Sequence, residues 1–308
     1  MNECIMQSFE IENSMKICGI VLNYFGHEDT ITCVRALVGQ NELKKIIIVE
    51  NSVNITELSI LKDIFKNDRK VEILEPSRNL GFSGGVNLAL NSVLDSGFDA
   101  FLLLNNDTLI PPNTLKYLAK GLIDNGFDMA SPTIYCYPEK HKVWAKGYFY
   151  NRFFGIITQR DISFIPGTIF YLSGCCILIH RKVFKDIGLL DTSFFMYGED
   201  VEFCFRAVQK GFRIGIVDKA YIYHKGNVSS QLNSLFYEYH INRCHFLLCN
   251  KLSKKKAKQM RSLVIKLFTL SIRTLLRTIK FRNTHAISGY KRAILGFTNP
   301  DKSTGSDT

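Results

Sequence analysis

The stretch AFLLLNNDT, residues 100–108, ends an apolar run on a carboxylate. Four consecutive apolar residues, Phe101 to Leu104, predict a strand that is buried on both faces, and Asn105, Asn106 and Asp107 follow it directly. Asn and Asp also close turns and cap helices, so a single polar strand end has a structural explanation. Whether Asp107 has a binding role depends on whether other strands end in the same way.

Three further predicted strands also end in polar residues. The pairs are Asn23 and Tyr24, Glu50 and Asn51, and Arg78 and Asn79. In an open α/β sheet, ligands bind beyond the carboxyl ends of the strands, which is where these residues would meet. Four polar strand ends in one chain therefore favour a polar ligand over four unrelated turns.

The second half of the chain holds two acids and a histidine in comparable positions. Glu199 and Asp200 begin a predicted helix, where the helix dipole by itself explains one acid. His224 ends the predicted strand RIGIVDKAYIYH. A histidine at a strand end is usually a surface or hydrogen-bonded residue, but beside other polar strand ends it is also a candidate metal ligand.

The segment RNLGFSGGVNLAL, residues 78–90, is rich in glycine just before a predicted helix. Gly84 and Gly85 allow the backbone to approach a ligand closely, and a helix that begins near Gly85 or Val86 would offer free amide groups to a phosphate. The segment matches neither the GxGxxG fingerprint after a first strand nor the Walker sequence. A dinucleotide-dependent dehydrogenase is therefore disfavoured.

Strands and helices alternate along the first third of the chain. Strands are predicted at residues 16–24, 44–50, 71–75 and 100–106, and apolar residues at helical spacing fill the three connections. This alternation predicts an α/β fold with a mostly parallel central sheet and helices on both faces.

Composition is consistent with a globular chain. At 308 residues and 46% hydrophobic content, the chain is long enough to bury a full core. Its nine cysteines form no CxxC pair and no regular framework, which indicates reduced thiols in a cytosolic setting. Residues 1–15 carry acids and lack a continuous apolar core, so we expect an N-terminal extension and not a secretory signal.

The net charge of +11 is concentrated in the C-terminal tail, residues 246–308, which holds 14 of the 39 Lys+Arg and 2 of the 28 Asp+Glu. A helix predicted at 260–281 has a cationic face and a wide apolar arc. The cations are Lys266, Arg273, Arg277 and Lys280, and the apolar residues are Leu263, Leu267, Phe268, Leu275, Leu276 and Ile279. These charges argue against a transmembrane span. We expect the helix either to lie on an anionic membrane surface or to pack on the body with its cations in solvent.

Nucleic acid is not an expected partner. The positive charge is confined to the tail, and the body contains no recognised nucleic-acid-binding motif.

An ordered set of motifs runs through residues 16–245. The motifs are VLNY (21–24), VENS (49–52), RNLGFSGGVN (78–87), LLLNNDT (102–108), SGCCILIHRKVF (173–184), GLLDTSFFMYGEDVEFCFRAVQKGF (188–212) and the later His224. Together they resemble the family 2 glycosyltransferases, and most closely the rhamnosyltransferase-like and galactofuranosyltransferase-like members that build bacterial surface polysaccharides. The resemblance implies a GT-A fold with a nucleotide-sugar half at about 16–135 and an acceptor half at about 136–245. The basic helical tail at 246–308 lies beyond the resemblance and follows from its charge and periodicity.

The resemblance also implies a donor site with a divalent cation, Mg²⁺ or Mn²⁺. Asp107 matches the carboxylate that binds this cation on the donor diphosphate, and His224 would be a second ligand. Asn105 stands where many relatives have an Asp, which removes one charge beside the cation. Glu50 matches an acid that contacts the nucleobase. The other donor-binding candidates are Asn23, Tyr24, Asn51, Arg78, Asn79, Gly84, Gly85, Asn105 and Asn106.

By the same resemblance, the sugar is transferred with inversion. Asp200 matches the general base that accepts the proton of the acceptor hydroxyl, and Glu199 would help to bind acceptor or donor sugar. The implied donor is dTDP-rhamnose or a UDP-hexose, and the implied acceptor is a polyprenyl-diphosphate-linked saccharide. The implied location is cytoplasmic, on the inner face of the plasma membrane. Two alternatives are a catalytically silent scaffold, because Asn105 replaces an acid, and a protein that binds nucleic acid through its basic tail.

Overall fold

The computed structural model describes residues 15–226 and 233–298. The predicted N-terminal extension, apart from its last residue, and residues 299–308 of the predicted tail lie outside these ranges. The strands are β1 (Ile17–Asn23), β2 (Leu43–Glu50), β3 (Val71–Leu74), β4 (Ala100–Asn105), β5 (Thr108–Leu109), β6 (Met129–Cys136), β7 (Val143–Ala145), β8 (Tyr148–Asn151), β9 (Ile157–Thr158), β10 (Thr168–Tyr171), β11 (Cys176–His180) and β12 (Ile214–His224). The helices are α1 (His27–Val38), α2 (Ile55–Phe65), α3 (Gly81–Val93), α4 (Thr114–Asp124), α5 (Arg181–Ile187), α6 (Glu199–Gln209), α7 (Leu235–Lys251), α8 (Lys256–Phe281) and α9 (His285–Thr298).

The main sheet has the strand order β3-β2-β1-β4-β11-β6-β12-β5, with β7 beside β6. Strands β3, β2, β1 and β4 are parallel neighbours, which confirms the four predicted strands and their arrangement. Strand β11 runs antiparallel to β4 and β6, and β12 runs parallel to β6. A second, three-stranded sheet has the order β10-β8-β9. The mixed α/β architecture expected from the sequence is therefore present.

Helices cover both faces of the main sheet because each one buries an apolar face. One core cluster contains Val86, Ala89, Leu90 and Val93 of α3, and the other contains Val34 and Leu37 of α1 with Leu61 of α2. Strand β1 sends Ile20 into the first cluster and Val21 into the second, as alternation along a strand requires. Each such fully buried side chain stabilises the fold by about 1.5–3 kcal/mol.

Helix α3 begins at Gly81, earlier than the predicted start near Gly85 or Val86. The helix starts here because of a turn that the spacing of apolar residues does not predict. In this turn the Gly81 N–H donates to the Asn79 side chain at 2.9 Å, and Gly81 has a φ of +67°. A Cβ at Gly81 would lie 2.3 Å from the carbonyl oxygen of Phe195, so glycine is required there. Gly85 therefore lies inside the helix. The first two amides of the helix already have partners within the protein, since the Phe82 N–H donates to the carbonyl oxygen of Phe195 at 2.7 Å.

The C-terminal helices α7, α8 and α9 pack around Phe246, Leu270 and Ala293. Helix α7 is continuous through residue 245, so the predicted boundary between body and tail falls inside a helix. Helix α8 contains the whole of the predicted segment 260–281. In the part of the chain that the structure describes, no helix is both long enough and apolar enough to cross a bilayer.

The orientation of α8 differs from the expectation that the helix packs on the body with its cations in solvent, and its placement on a membrane stays a prediction. Lys266 is fully buried and donates from Nζ to the carbonyl oxygen of His245 at 2.9 Å, and burial lowers its pKa. Arg273 and Arg277 both pair with the carboxylate of Glu238, which is 1% exposed. Three of the four predicted surface cations therefore face the body, and the two arginines do so because a buried carboxylate requires counter-charge. Phe268, Leu275, Leu276 and Ile279 of the predicted apolar arc face outward, whereas Leu263 and Leu267 pack against the core formed by the three C-terminal helices.

Replacing Glu238 with Gln should lower the free energy of unfolding by about 2–3 kcal/mol, because two guanidinium groups lose their counter-charge. This loss of stability is smaller than that expected for a fully buried ion pair, since both guanidinium groups reach solvent. Urea denaturation measures the change. The control is Asp63→Asn, which removes an exposed pair with Lys66 and should leave the midpoint unchanged. Equal midpoints for the two variants would contradict this role of Glu238.

Candidate active site

The carboxyl ends of β1, β2 and β4 meet at one edge of the main sheet. The register pairs Asn23 with Glu50, and Leu22 with Asn105, so polar residues from three strand ends become neighbours. The N–H of Asn51 donates to the carbonyl oxygen of Asn23 at 2.8 Å. This edge is the place where open α/β sheets bind ligands.

Asn23 is fully buried in a network that sequence analysis missed. Its amide nitrogen donates to Glu57 at 2.8 Å, and its amide oxygen accepts from the hydroxyl of Thr30 at 2.7 Å. Nδ1 of His27 lies 2.7 Å from Glu57. Burial alone would raise the pKa of Glu57, but hydrogen bonds from Asn23 and His27 outweigh burial and leave that pKa below its usual value. A charged Glu57 therefore holds Asn23 in place.

Glu50 is also fully buried, and the loop after β2 surrounds its carboxylate. One oxygen accepts from the N–H of Ser52 at 3.0 Å and from the Ser52 hydroxyl, and the other accepts from the N–H of Asn54 at 3.2 Å. The side chain of Asn54 in turn caps α2. Glu50 thus positions the loop between β2 and α2, and its contact with a nucleobase stays a prediction.

Asn51 and Asn79 join the second strand end to the glycine-rich segment. The Asn51 amide nitrogen donates to Asn79 at 3.0 Å, and its amide oxygen accepts from the N–H of Leu80 at 3.0 Å. A Cβ at Gly85 would lie 2.7 Å from Cδ2 of Leu22 on β1, and one at Gly84 would lie 2.8 Å from Cβ of Leu80. Close packing within the protein therefore explains both glycines, and their approach to a ligand stays a prediction.

The remaining donor candidates differ in exposure. Tyr24 and Arg78 are exposed and can contact a ligand directly. Asn105 is half-buried, and the amide nitrogen of Asn106 donates to the hydroxyl of Thr30 at 2.9 Å. The candidates thus divide into exposed residues and residues that hold the surrounding loops.

Asp107 and His224 meet where β5 pairs with β12. Oδ1 of Asp107 lies 3.1 Å from Nε2 of His224, and both side chains are buried. The N–H of Lys225 donates to the carbonyl oxygen of Asp107 at 2.9 Å, which fixes the two chain segments together. The ring of Trp144 packs edge-on against the imidazole, with 4.4 Å between the ring centroids.

The Asp107–His224 pair fits a divalent cation. Oδ1 of Asp107 is buried, and its only contact is with Nε2 of His224. Adjacent ligands of an octahedral ion, each at about 2.1 Å from it, lie about 3.0 Å apart, which is close to the 3.1 Å found here. Within residues 15–226 and 233–298, no group of three or more His, Cys, Asp or Glu side chains could hold a metal. Further ligands would have to be oxygens of a bound molecule or water.

Glu199 and Asp200 begin α6 but have different surroundings. The carboxylate of Asp200 accepts from the N–H of Gly174 at 3.2 Å and from the N–H of Val201 at 2.8 Å, whereas Oε2 of Glu199 is buried without a partner. Burial raises the pKa of both acids, and the charge of Asp200 raises that of Glu199 further. The first negative charge of the pair therefore lies on Asp200, and Glu199 keeps its proton.

The segment 173–175 connects α6 to the strand end that carries Asp107. The N–H of Gly174 donates to Asp200, and the carbonyl oxygen of Cys175 accepts from the N–H of Asn105 at 2.9 Å. The predicted base and the predicted metal ligand thus lie on either side of one three-residue segment.

Several residues of this site were missed by sequence analysis. Asn87 of α3 fixes the segment before α6, since its amide nitrogen donates to the carbonyl of Leu190 at 2.8 Å and its oxygen accepts from the Leu190 N–H at 3.1 Å. Two signals were present: Trp144 is the single tryptophan of the chain, and Glu57 is an acid in a first helical turn. Nothing in the sequence marks His27 or Thr30.

A cavity of about 600 Å³ lies at the opposite end of α6. Its lining combines aromatic side chains such as Phe205 and Phe212 with Arg152 and Arg213. It contains none of the candidate site residues and is separate from the sheet edge described above.

The sequence profile of a family described as Glycosyl transferase family 2 matches residues 20–188, which is more than half of the chain. The chain belongs to glycosyl transferase family 2. This confirms the resemblance found in the motifs, and the protein is a glycosyltransferase. The matched region includes Asn23, Glu50 and Asp107 and ends before Asp200 and His224.

Two relatives of known name agree with this membership. The chain is 26% identical over 268 residues to the low-salt glycan biosynthesis hexosyltransferase Agl10 of Haloferax volcanii, and the match covers 84% of this chain and 83% of the relative. It is 22% identical over 263 residues to the dTDP-rhamnosyl transferase RfbF of Shigella flexneri, with coverage of 79% and 84%.

Solved glycosyltransferase structures share the fold. GalNAc-T7 with UDP, GalNAc and Mn²⁺ has a TM-score of 0.60 at 13% identity, over 76% of this chain and 48% of that chain. The mannosyltransferase PcManGT of Pyrobaculum calidifontis, in complex with GDP-Man and Mn²⁺, has a TM-score of 0.55 at 13% identity. The match covers 94% of this chain and 88% of that chain. S. aureus TarS 1–349 with UDP-GlcNAc has a TM-score of 0.55 at 18% identity, and the match covers 92% of this chain and 80% of that chain. These similarities establish the GT-A fold predicted from the motifs.

Replacing Glu57 with Gln should lower the free energy of unfolding at neutral pH by about 1–2 kcal/mol, because the charged acceptor of Asn23 and His27 is lost. The pKa of Glu57 is lowered by folding, so its stabilisation is present above the ordinary glutamate pKa and is lost as the pH falls through the lowered pKa. The difference between wild type and variant should therefore shrink on acidification.

Urea denaturation at neutral and at acidic pH measures both quantities. The matched control is Glu139→Gln at an exposed acid, for which no change in the unfolding midpoint is expected. A Glu57→Gln effect that is constant with pH would contradict the network.

Proposed function

We propose that this glycosyltransferase moves a hexosyl group, either rhamnose or another hexose, from a nucleoside-diphosphate donor to a hydroxyl of a lipid-linked saccharide. We further propose that the anomeric carbon is inverted. One observation carries the proposal: segment 173–175 hydrogen-bonds both to the Asp200 carboxylate and to Asn105, which lies two residues before Asp107 and its partner His224. This arrangement suits a donor whose diphosphate lies near the pair and whose anomeric carbon lies near Asp200.

Asp200 is the proposed general base. In a single in-line displacement, the acceptor hydroxyl attacks the anomeric carbon on the face opposite the diphosphate, and Asp200 accepts the hydroxyl proton as the new bond forms. The amides of Gly174 and Val201 orient the carboxylate, and burial raises its pKa toward neutrality, which strengthens it as a base. Glu199, which keeps its proton, can donate a hydrogen bond to a sugar hydroxyl.

Asp107 and His224 would hold a divalent cation, Mg²⁺ or Mn²⁺. When bound, the cation supplies positive charge for the departing nucleoside diphosphate, so that no protein acid is needed for the leaving group. The spacing of Asp107 Oδ1 and His224 Nε2, and the Mn²⁺ bound by two proteins of the same fold, support this assignment. Since Asn105 carries no charge, Asp107 would be the essential ligand of this strand end.

The edge formed by β1, β2 and the glycine-rich segment is the proposed nucleotide site. The exposed Tyr24 and Arg78 would contact the nucleotide, while Asn23, Glu50 and Asn51 hold the loops around it. Proteins of the same fold bind UDP, UDP-GlcNAc or GDP-Man, and RfbF is named for dTDP-rhamnose transfer. The proposed donor class is therefore a nucleotide sugar, with dTDP-rhamnose and UDP-hexoses as the first candidates.

The proposed acceptor is a polyprenyl-diphosphate-linked saccharide at the inner face of the plasma membrane, in the synthesis of a surface polysaccharide. A cytoplasmic location is supported by the cysteines, since all eight that the structure describes are free thiols and Cys4 lies outside the described residues.

The deciding experiment is nucleoside diphosphate release from a panel of dTDP-, UDP- and GDP-sugars by the full chain, with Mn²⁺, Mg²⁺ or EDTA. One donor should be turned over with a cation, and Asp107→Ala should abolish this turnover because a metal ligand is lost. The control Asp218→Ala removes an exposed carboxylate on the same strand as His224 and should retain full activity.

Donor binding is measured by calorimetry on the same samples, because turnover also requires an acceptor. If no nucleotide sugar binds, the proposal is wrong. Binding without turnover when a lipid-linked acceptor is supplied would indicate a catalytically silent scaffold.

Asp200→Asn should lower kcat by about 10²–10⁴-fold, because the hydroxyl proton loses its acceptor. Glu199→Gln should retain most of the rate, since Gln resembles a protonated Glu. The rate of the wild type should fall as the pH drops through the raised pKa of Asp200, well above the ordinary aspartate value of about 3.9.

Profiles of kcat/KM against pH check this assignment. Because burial is what raises the pKa of Asp200, the fall of kcat/KM at low pH should occur at the same pH in Glu199→Gln as in the wild type. A larger loss of kcat in Glu199→Gln than in Asp200→Asn would reverse the two roles.

A further inference from the structure

The outward side of α8 carries a continuous row of apolar residues. Seven large apolar side chains of this helix are 45–69% exposed: Met260, Val264, Phe268, Ile272, Leu275, Leu276 and Ile279. Their spacing places them on one side of a helix of 26 residues, which is about 39 Å long. Single exposed apolar residues are ordinary, but a contiguous row of this length marks an interaction surface.

The turn between β8 and β9 extends this row. Phe154 and Ile156 of this turn, and Ile157 where the turn enters β9, are all exposed. The hydroxyl of Thr269 on α8 donates to the carbonyl oxygen of Phe154 at 3.0 Å, and the hydroxyl of Ser262 donates to that of Arg152 at 2.6 Å. We call the seven α8 residues and these three turn residues the apolar face. It joins the tail to a turn in the predicted acceptor half, two segments that are distant in sequence.

The buried side of α8 keeps the apolar face outward. Glu238 of α7 is paired with Arg273 and Arg277, and Lys266 donates to a backbone carbonyl. Rotating the helix to bury its apolar residues would leave Glu238 without counter-charge, which is strongly unfavourable. The exposure of the apolar face is therefore enforced by electrostatics on the opposite side of the helix.

Exposed cations lie at both ends of α8. Lys254, Lys255, Lys256 and Lys258 are exposed around its start, and Lys280 and Arg282 are exposed at its end. Because both ends are positive, pairing two copies of α8 in either direction would bring cations together. An anionic lipid surface instead attracts both ends while its acyl region accepts the apolar side chains.

We propose that the apolar face docks on an anionic phospholipid bilayer, with α8 lying in the plane of the membrane. The apolar side chains enter the lipid, and the cations at the helix ends contact the headgroups. The roles of the cations are thereby divided: Lys266, Arg273 and Arg277 bind the helix to the protein, and the terminal lysines bind the membrane. This proposal names the surface through which the protein would reach the membrane location proposed above. It does not require that the protein transfers a sugar.

Flotation of the full chain with vesicles of phosphatidylcholine and phosphatidylglycerol tests the proposal. The wild type should float, and the triple variant Phe268→Ser, Leu275→Ser, Ile279→Ser should bind about tenfold less or weaker still. The three residues are at least 59% exposed, so thermal unfolding followed by circular dichroism should be unchanged. The matched control is Ile55→Ser with Ile123→Ser, two residues that are 73% and 60% exposed on α2 and α4, and it should float like the wild type.

A charge variant tests the headgroup contact. Lys254→Glu, Lys256→Glu and Lys258→Glu together should weaken binding to vesicles that contain phosphatidylglycerol, because the like charges repel. Binding that is unchanged in this variant would overturn the anionic specificity.

Two results would overturn docking itself. One is a wild type that does not float, or a triple apolar variant that floats equally well. The other is a dimer in sedimentation velocity without lipid that the triple apolar variant dissociates, because the face would then belong to a second copy of the chain. Flotation needs no turnover, so its result stands apart from that of the donor assay.

Discussion

The candidate site depends on the antiparallel pairing of β11 with β4. In the parallel part of the sheet, each strand is reached through a helix that returns the chain to the opposite edge. Strand β11 runs the other way, so the segment just before it, 173–175, lies at the carboxyl edge beside Asn105. From this place Gly174 reaches Asp200 on α6. The direction of one strand therefore connects the second half of the chain to the edge at which Asp107 lies.

Buried carboxylates organise the surroundings of this edge, and their partners decide their charge. Glu57 accepts from Asn23 and His27 and stays ionised, and Glu238 holds two arginines of α8. Glu199 has one oxygen without a partner and a charged neighbour, so it keeps its proton. The same side-chain type thus serves as a structural anchor, a helix clamp and a neutral hydrogen-bond donor, according to the donors that face it.

Helix α8 separates what periodicity predicts from what packing decides. The spacing of its residues correctly predicted a helix with a cationic and an apolar side. It did not predict which side faces the body, because the preference is set by Glu238, a residue on another helix. An apolar arc is ordinarily buried, yet here the counter-charge demanded by one buried carboxylate outweighs that tendency. The tail is therefore held both by its charges and by apolar contacts around Leu270, and it exposes the apolar residues on the opposite side of α8.

The sequence by itself determined the α/β fold, the four parallel strands, the family, and the polar strand ends that include Asn23, Glu50 and Asp107, because alternation of apolar runs and short motifs are local properties of a chain. Only the tertiary structure decided the start of α3 at Gly81, the burial of Glu50 among loop amides, and the partners Trp144 and Glu57. It also decided the order of ionisation in the Glu199–Asp200 pair. These features depend on contacts between residues far apart in sequence, and such contacts exist only once the sheet and its helices have packed.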